Sequence, residues 1–240
     1  MVASLMSALP GSVAQGLIWG ILAIGVYITY KVLDFADLTV DGSLATGGAV
    51  AVMCMLNGAN TYVALILAFL AGMLAGLVTG LFHTALGIPP ILAGILTQLG
   101  LYSINMRIMG KANQAISVMQ YDVLGSLRYI PYACLLTTGF CIVIIALLYW
   151  FFGTEIGASV RATGCNPNMA RAQGINTNAT KVLGLVISNG LVGLAGALYA
   201  QYQGSADINM GRGAIVIGLA AVIIGEVVFG KIFHLSLIHI

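Results

Sequence analysis

Residues 42–106 read GSLATGGAVAVMCMLNGANTYVALILAFLAGMLAGLVTGLFHTALGIPPILAGILTQLGLYSINM, and none of these 65 residues is Asp, Glu, Lys or Arg. A helix needs about 20 apolar residues to cross the hydrocarbon core of a bilayer. The run is long enough for several such helices. It also lacks the regular alternation of apolar and polar residues that a membrane β-strand shows. The run therefore predicts an all-α fold built from membrane-spanning helices.

The composition of the whole chain agrees with that prediction. The chain has 240 residues, of which 60% are hydrophobic and 7% charged, and its mean hydropathy is +1.04. Soluble domains average about 25% charged residues, so a soluble enzyme, a disordered chain and a nucleic-acid-binding protein are all excluded. The net charge of +2 also offers no basic face for a polyanionic partner. We predict a polytopic transmembrane helix bundle whose surroundings are a lipid bilayer.

Turn-forming residues divide the chain into apolar segments. The sequences NGAN at 57–60 and GIPP at 87–90 favour turns and interrupt the uncharged run. The pieces 43–56 and 91–106 are short, which leaves their topology open. We predict about seven membrane segments, at 11–30, 43–56, 61–86, 91–106, 131–152, 182–202 and 213–229.

Glycines recur at four-residue spacing within two of these segments. They are Gly16 and Gly20 in the first segment, and Gly72, Gly76 and Gly80 in the third. Small residues at this spacing allow helix backbones to approach closely in lipid. We interpret both stripes as helix-packing faces.

An internal repeat links the two halves of the chain. The sequence ADLTVDG at 36–42 resembles ADINMGRG at 206–213, and each precedes a short apolar segment with a glycine five residues on, Gly47 or Gly218. Four segments lie between the first helices of the two units, so those helices run in opposite directions. Inverted repeats with short, glycine-interrupted segments are typical of transport paths. The repeat therefore predicts a transporter.

Ionisable residues in or near membrane segments are functional candidates by default. For Asp37, Asp41 and Asp207 the sequence favours positions in water at loop ends, where they would cap the short helices. Glu226 suits an interfacial or a buried position equally. The path candidates are Asp37, Asp41, Gly42, Asn189, Asp207, Asn209 and Glu226.

No catalytic motif is present in the sequence. His83, His234 and His239 form no HExxH-type pair, which gives a metal site no support. Gly225 and Gly230-Lys231 have the spacing of a phosphate-binding loop, but Ile232 replaces its essential hydroxyl residue. We expect a chain that is not an enzyme and holds no cofactor. ATP-driven transport would need another subunit to hydrolyse ATP.

The polar stretch GTEIGASVRATGCNPNMARAQGIN at 153–176 predicts two short helices. The first spans 155–163, and Gly164 suits a left-handed cap. The second has Asn166 as its N-cap and Pro167 at its first position, and it ends at Gly174. Helices this short are not stable alone in water. They must rest on the membrane domain or on a partner, and a Met169–Ala170 surface suits docking.

This stretch, continued by LGLVISNGLVGLAGAL at 183–198, resembles the permease subunits of ATP-binding-cassette (ABC) importers. The branch is the one that serves branched-chain amino acids and ribose-type sugars. Its cytoplasmic loop has the form E-x-G-x-x-x-R-A-x-G-x-N-x-x-x-A-x-x-x-G-I. The matching residues are Glu155, Gly157, Arg161, Ala162, Gly164, Asn166, Ala170, Gly174 and Ile175. The sequences at 36–42, 101–110 and 200–204 are similar to a subgroup labelled tryptophan/tyrosine-type permeases.

The resemblance, which spans about residues 15–233, implies a fold like that of type II ABC importers and a place in the bacterial inner membrane. Residues 1–234 would form the permease domain. The cytoplasmic loop 153–181, including Pro167 and Met169, would dock in a cleft of the ATPase subunits. A second permease copy, identical or related, would complete the path, and an external solute-binding protein would deliver a small solute such as an amino acid. The N-terminus would then lie outside.

Two alternatives and one anomaly remain at this point. An ion-coupled secondary transporter would need a buried acidic pair, and the sequence offers only Glu226 near one end of a segment. A membrane scaffold without transport activity would leave the patterned loop unexplained. The last six residues, 235–240 (LSLIHI), depart from the family pattern and resemble a translated sequencing adaptor. We therefore expect a truncated chain with a non-native tail.

Overall fold

A computed structural model describes residues 2–116 and 130–232 of the chain. Within them the fold is a bundle of α-helices with one small antiparallel sheet. The helices are α1 (Val2–Tyr27, continued by a π-helical turn Ile28–Val32), α2 (Val40–Leu56), α3 (Thr61–Thr84), α4 (Pro90–Met109), α5 (Ile130–Gly153), α6 (Glu155–Cys165), α7 (Pro167–Ala172), α8 (Thr177–Gln203) and α9 (Ala214–Ile232); the strands are β1 (Asn113–Ala115) and β2 (Ser205–Asp207). The expected tail at 235–240 lies outside the described residues, as do His234 and His239.

The all-α membrane fold is confirmed, but the count of seven spans is not. Five helices within the described residues have the length and apolar composition to cross a membrane: α1, α3, α4, α5 and α8. The other two apolar helices, α2 and the described part of α9, are shorter. The turns lie where Gly, Asn and Pro predict them. The Asn60 side chain caps α3, Pro90 begins α4, and left-handed Gly110 ends it.

Helix α8 lies at the centre of the bundle. It packs against α1, α2 and α3, and most of its residues are buried. Gly72 and Gly76 of α3 lie against the carbonyl oxygens of Asn189 and Leu185, and Gly47 of α2 lies against Gly193. A Cβ atom at any of these three glycines would overlap α8 backbone. By contrast, Gly16 and Gly20 have no neighbour near enough to touch an added Cβ, so the first stripe is not a packing face within the described chain.

Replacement of Gly47 by alanine tests the close packing of α2 on α8. We expect Gly47→Ala to destabilise the folded chain by about 1–3 kcal/mol, because the added methyl group forces two backbones apart. Gly16→Ala is the matched control, since its position is open. Thermal unfolding in detergent measures both variants. Equal melting temperatures for the two would contradict the packing.

Contacts between residues of neighbouring helices establish the directions of α1–α5, α8 and α9. Helix α2 runs parallel to α8, because Ser43 bonds Asn189 and Gly47 packs on Gly193. Helix α3 runs antiparallel to α8, and α4 runs parallel to α2. Helices α1, α5 and α9 are parallel to one another. The thiols of Cys134 and Cys141 in α5 donate hydrogen bonds to the carbonyl groups of residues 10 and 17. In α9, Gly218 packs on residues 22 and 26, and Glu226 pairs with Lys31. The bundle thus has a sheet end, carrying β1 and β2, and an α6–α7 end.

The two repeat units have opposite orientations, as the sequence predicts. Helix α1 runs to the α6–α7 end. The chain then turns back into the bundle, where α2 begins and runs toward the sheet end. Helix α8 runs to the sheet end, and α9 likewise begins part-way back. Each connecting loop contains the same local turn, in which an aspartate accepts a backbone N–H two residues on. The donors are Thr39 to Asp37 (2.9 Å) and Asn209 to Asp207 (2.7 Å).

Candidate functional site

Helices α2 and α9 each begin part-way through the bundle after a loop that interrupts the preceding helix, and we call them the broken helices. Their N-termini meet inside the bundle. The Asp41 carboxylate, in the first turn of α2, accepts the backbone N–H groups of Gly213 (3.0 Å) and Ile215 (2.9 Å). A carboxylate at this position satisfies free N–H groups and interacts favourably with the helix dipole of α9. The sequence predicted that Asp41 would cap a short helix. The structure shows that it caps the short helix of the other repeat.

Asp37 is buried, contrary to the expectation that it lies in water. It is 2% exposed, and the Asn189 side-chain amide donates to its carboxylate at 2.6 Å. Asn189, fully buried in α8, also donates to the Leu185 carbonyl and accepts a hydrogen bond from Ser43 at 2.6 Å. The sequence-based expectation was wrong because the loop after Leu33 folds back into the bundle. A polar chain Ser43–Asn189–Asp37 results.

The remaining path candidates take no part in this polar chain. Asp207 and the exposed Asn209 are at the sheet end, where Asn113 donates to Asp207 at 3.4 Å. Glu226 pairs with Lys31 at 2.8 Å, and about two-fifths of each side chain is exposed. Glu226 is therefore partly exposed rather than buried. The structure brings together Asp37, Asp41, Gly42 and Asn189. Asp207 and Asn209 flank Ile208, which lines a cavity with Asp41, whereas Glu226 lies apart beside Lys31.

A cavity of about 250 Å³ adjoins the meeting point of α2 and α9. Helix α2 contributes Asp41 and Gly42, and the turn after β2 contributes Arg212. Helix α4 contributes Gln98, Tyr102 and Asn105. Sequence reasoning did not identify Gln98, Tyr102, Asn105 or Arg212. Tyr102, Asn105 and Arg212 lie in sequences noted for family or repeat similarity, but nothing in those sequences marks them as cavity residues. The packing of α4 beside α2, and of the turn after β2 on Asp41, brings them together.

The polar stretch 153–176 forms two helices, α6 and α7. The Thr154 hydroxyl caps α6, and the Asn166 side chain caps α7 by accepting the N–H groups of Asn168 and Met169, both at 3.1 Å. The prediction for Gly164 was wrong, because α6 continues through it to Cys165. A Cβ atom at Gly164 would overlap the Val32 carbonyl oxygen, so close packing is what requires glycine there.

Side-chain contacts attach α6 and α7 firmly to two long helices. Arg161 donates to the Phe152 carbonyl of α5 at 3.0 Å. The hydroxyls of Thr163 and Thr180 share a hydrogen bond of 2.8 Å, which joins α6 to α8. Arg171 likewise donates to Thr177 of α8 at 2.7 Å. Hydrogen bonds thus hold α6 to both α5 and α8, and α7 to α8.

The outward side of α6 and α7 is partly apolar. Ile156 is 57% exposed and Met169 62% exposed, and Glu155 and Ala162 are also exposed. Ala170, expected beside Met169 on the surface, is buried at 3% exposure, because α7 turns one side toward the rest of the chain. Gly157 is buried against the Phe151 carbonyl, and left-handed Gly174 follows α7.

The sequence was compared with protein families and with known proteins. Residues 9–237 match the family described as branched-chain amino acid transport system / permease component. A tyrosine transport system permease protein of Clostridioides difficile is 42% identical over 94% of this chain and 75% of its own length. An uncharacterized protein of Rickettsia prowazekii is 37% identical (93% and 79%), and a nucleoside ABC transporter permease protein of Lactococcus lactis is 32% identical (63% and 47%). No solved structure matches.

The family match covers nearly the whole described bundle, including both broken helices and the α6–α7 pair. It agrees with the resemblance seen in the loop sequence and with the five membrane-length helices. A chain of this family is a transport subunit of the bacterial inner membrane and is not itself catalytic. The chain therefore belongs to the permease family of branched-chain amino acid transport systems, and it is the membrane subunit of an ABC importer.

Proposed function

We propose that this permease forms the membrane path for an amino acid or a related small solute, and that a separate ATPase drives it through the α6–α7 pair. The attachment of that pair to α5 and α8 carries the proposal, because it provides a rigid connection from one end of the bundle to the central helix. The relative from Clostridioides difficile, named as a tyrosine transport permease, supports an amino acid as the solute.

The α6–α7 surface has the properties of a docking site. Exposed Ile156 and Met169 offer apolar anchors, and the Asn166 cap fixes the start of α7. Movement of an ATPase subunit against this surface would displace α7, and the hydrogen bonds of Arg161 and Thr163 would pass the displacement to α5 and α8. Rigid-body motion of packed helices is a common way to alternate between two states. The coupling residues proposed are Glu155, Gly157, Arg161, Ala162, Gly164, Asn166, Pro167, Met169, Ala170 and Gly174.

A docking role for α6 and α7 would imply an orientation of the chain in the membrane and positions for its partners. The α6–α7 end, with the loop 153–181, would face the cytoplasm and two ATPase subunits. The sheet end and the N-terminus would face outward, toward a solute-binding protein. A second permease copy, identical or related, would complete the path. Residues 1–234 would constitute the permease domain.

The path itself would pass the meeting point of α2 and α9. Broken helices whose N-termini point into the bundle are a recurring device for binding solutes in transporters. Asp37, Asp41, Gly42 and Asn189 line or support this point. Asp207 and Asn209 lie at the sheet end and Glu226 at the opposite end, where solute would enter and leave.

Reconstitution tests the proposed function. The permease, its ATPase and its solute-binding protein are placed in liposomes, and uptake of labelled L-tyrosine is measured. We expect uptake that requires ATP and all three components. Uptake driven by an ion gradient without the ATPase would contradict the proposal, as would a complete system that hydrolyses ATP and carries no amino acid.

A substitution on the exposed side of α7 tests the docking surface. Met169→Glu is expected to weaken binding of the ATPase about tenfold, because a charge replaces an apolar anchor that the ATPase would bury. Asn57→Glu is the control, since it adds the same charge in the exposed turn between α2 and α3, at the opposite end of the bundle from α6 and α7. Co-purification and titration of the ATPase measure both. An unchanged affinity for Met169→Glu would exclude this face from the interface.

A further inference from the structure

The cavity beside Asp41 has the arrangement expected for a zwitterionic ligand. Asp41 and Arg212 both line it, yet they do not pair with each other; among the described side chains the one ion pair is Lys31–Glu226. Two opposite charges facing one small cavity without contact leave room for a ligand that carries both charges. A simple anion would be repelled by Asp41, and a simple cation by Arg212.

A buried polar atom in the same wall also lacks a partner among the described residues. Asn105 is 1% exposed, and its side-chain carbonyl oxygen accepts no hydrogen bond from any described residue. Buried polar atoms are nearly always satisfied, so an unpaired one calls for an explanation. A ligand with N–H donors, such as an ammonium group, would satisfy the Asn105 carbonyl.

The Asp41 carboxylate keeps acceptor capacity for the same ammonium group. An ionised carboxylate has about four lone-pair positions, and the N–H groups of Gly213 and Ile215 occupy two of them. An ammonium group can therefore bind Asp41 without removing the cap of α9. Its three donors suit Asp41 and Asn105 together.

Arg212 and Tyr102 suit the carboxylate and the side chain of an amino acid. The exposed Arg212 guanidinium presents a planar fork of donors that matches a carboxylate. Tyr102, which is 41% exposed, offers an aromatic face for a side chain. The volume of about 250 Å³ lies just below the usual range of about 300–1,000 Å³ for ligand pockets, which favours a small solute.

We propose that this cavity is a substrate subsite of the path, in which Asp41 and Asn105 bind the ammonium group of an amino acid and Arg212 binds its carboxylate. The proposal rests on the proposed function and goes further, since it assigns the two charged groups of the solute to different walls. Asp41 would act twice, because it also holds the start of α9. Substrate in the cavity would thus lie directly against the junction of the two repeats.

Binding of three probes to the full chain tests the subsite. The permease is placed in nanodiscs of phosphatidylglycerol, a lipid without an ammonium group that cannot supply a zwitterionic headgroup. The probes are L-tyrosine, tyramine, which lacks the carboxylate, and 3-(4-hydroxyphenyl)propionate, which lacks the amine. Saturation-transfer NMR detects weak binding and gives a Kd for each. The variants are Arg212→Ala and Asn105→Leu, with Arg107→Ala as the control, since Arg107 is exposed on α4 and does not line the cavity.

The expected result is a crossed pattern. Arg212→Ala should raise the Kd of L-tyrosine about tenfold or more, as expected for loss of a charge-assisted hydrogen bond. It should not raise the Kd of tyramine, whose ammonium group Arg212 repels. Asn105→Leu should weaken L-tyrosine and tyramine but not the propionate. A variant that simply misfolds would weaken all three probes equally, so the pattern separates binding from damage.

Two outcomes overturn the subsite. One is no L-tyrosine binding by the wild-type chain, and the other is the same Kd for all probes in wild type and both variants. Liposome uptake separates this failure from that of the proposed function. ATP-dependent L-tyrosine uptake that neither variant alters would exclude the subsite and leave the importer function intact.

Discussion

Insertion of two alanines after Asn166 is expected to reduce ATP-dependent uptake to the background of liposomes without ATP. The Asn166 side chain accepts the N–H groups of Asn168 and Met169 and thereby fixes the start of α7 against α6. Two extra residues remove these N–H groups from reach and displace α7 by up to about 7 Å. The exposed Met169 would then no longer face the ATPase.

The measurement separates coupling from folding. Uptake and solute-stimulated ATP hydrolysis are recorded in liposomes, and thermal unfolding of the permease is recorded in detergent. We expect uptake and stimulation to be lost while the melting temperature stays close to that of the wild type, because the insertion lies outside the long helices. The same insertion between Gly58 and Ala59, in the exposed turn between α2 and α3, should preserve uptake. Normal stimulated hydrolysis after the insertion at Asn166 would refute the coupling role.

A smaller effect is expected for Arg161→Ala in the same assay. Arg161 donates to the Phe152 carbonyl and so attaches α6 to the end of α5. Its loss would loosen this connection while the Thr163–Thr180 contact to α8 remains. Partial loss of uptake with a bound ATPase would support transmission through α6.

Replacement of Asn189 by leucine is expected to be the most destabilising single change. Asn189 joins Asp37 to Ser43 and also bonds the Leu185 carbonyl. Leucine has similar volume but leaves the buried Asp37 Oδ2 atom and the buried Ser43 hydroxyl without their partner, while Asp37 Oδ1 keeps the Thr39 N–H. Each buried polar group left unpaired costs about 1–3 kcal/mol, and more if it is charged. We therefore expect a loss of about 3 kcal/mol or more in the free energy of unfolding.

Asn209→Leu is the matched control for this experiment. Asn209 is exposed in the turn after β2, and its backbone N–H, which leucine keeps, makes the bond to Asp207. Exposed substitutions of this kind usually change stability by less than about 0.5 kcal/mol. Reversible unfolding in a mixed detergent series compares the two variants. A small effect at Asn189 would mean that water or another group satisfies Asp37, and would contradict the closed polar chain.

Much of the secondary structure and the family is predictable from the sequence, because local patterns encode them. Turn residues at 57–60 and 87–90 divide the uncharged run at the ends of α2, α3 and α4, as expected. Asn166 and Pro167 begin a helix by local hydrogen bonding and fixed backbone geometry, which require only neighbouring residues. The loop sequence at 153–176 also indicates the family by itself, because the motif consists of residue identities at fixed spacing.

The errors occurred where distant residues decide the outcome. A glycine at position 164 is typical of a helix C-cap, but glycine is required there because the Val32 carbonyl lies too close for a side chain. An aspartate such as Asp37 is typical of a loop in water, but its loop is buried and places it against Asn189 of α8. Ala170 faces inward because α7 rests on the bundle. None of these three contacts is visible in a local pattern.

The sequence alone determined that the chain is an all-α membrane protein of the ABC importer permeases with two inverted repeats. Hydropathy, turn chemistry and repeated short sequences are local properties, so they can be read without coordinates. Only the tertiary structure decided which candidates meet. It placed Asp41 at the start of α9, joined Asp37 to Asn189, and collected Asn105 and Arg212 around one cavity. The physical reason is that helix register and packing, set by close contacts of glycines such as Gly47 and Gly72 with α8, bring together residues far apart in sequence.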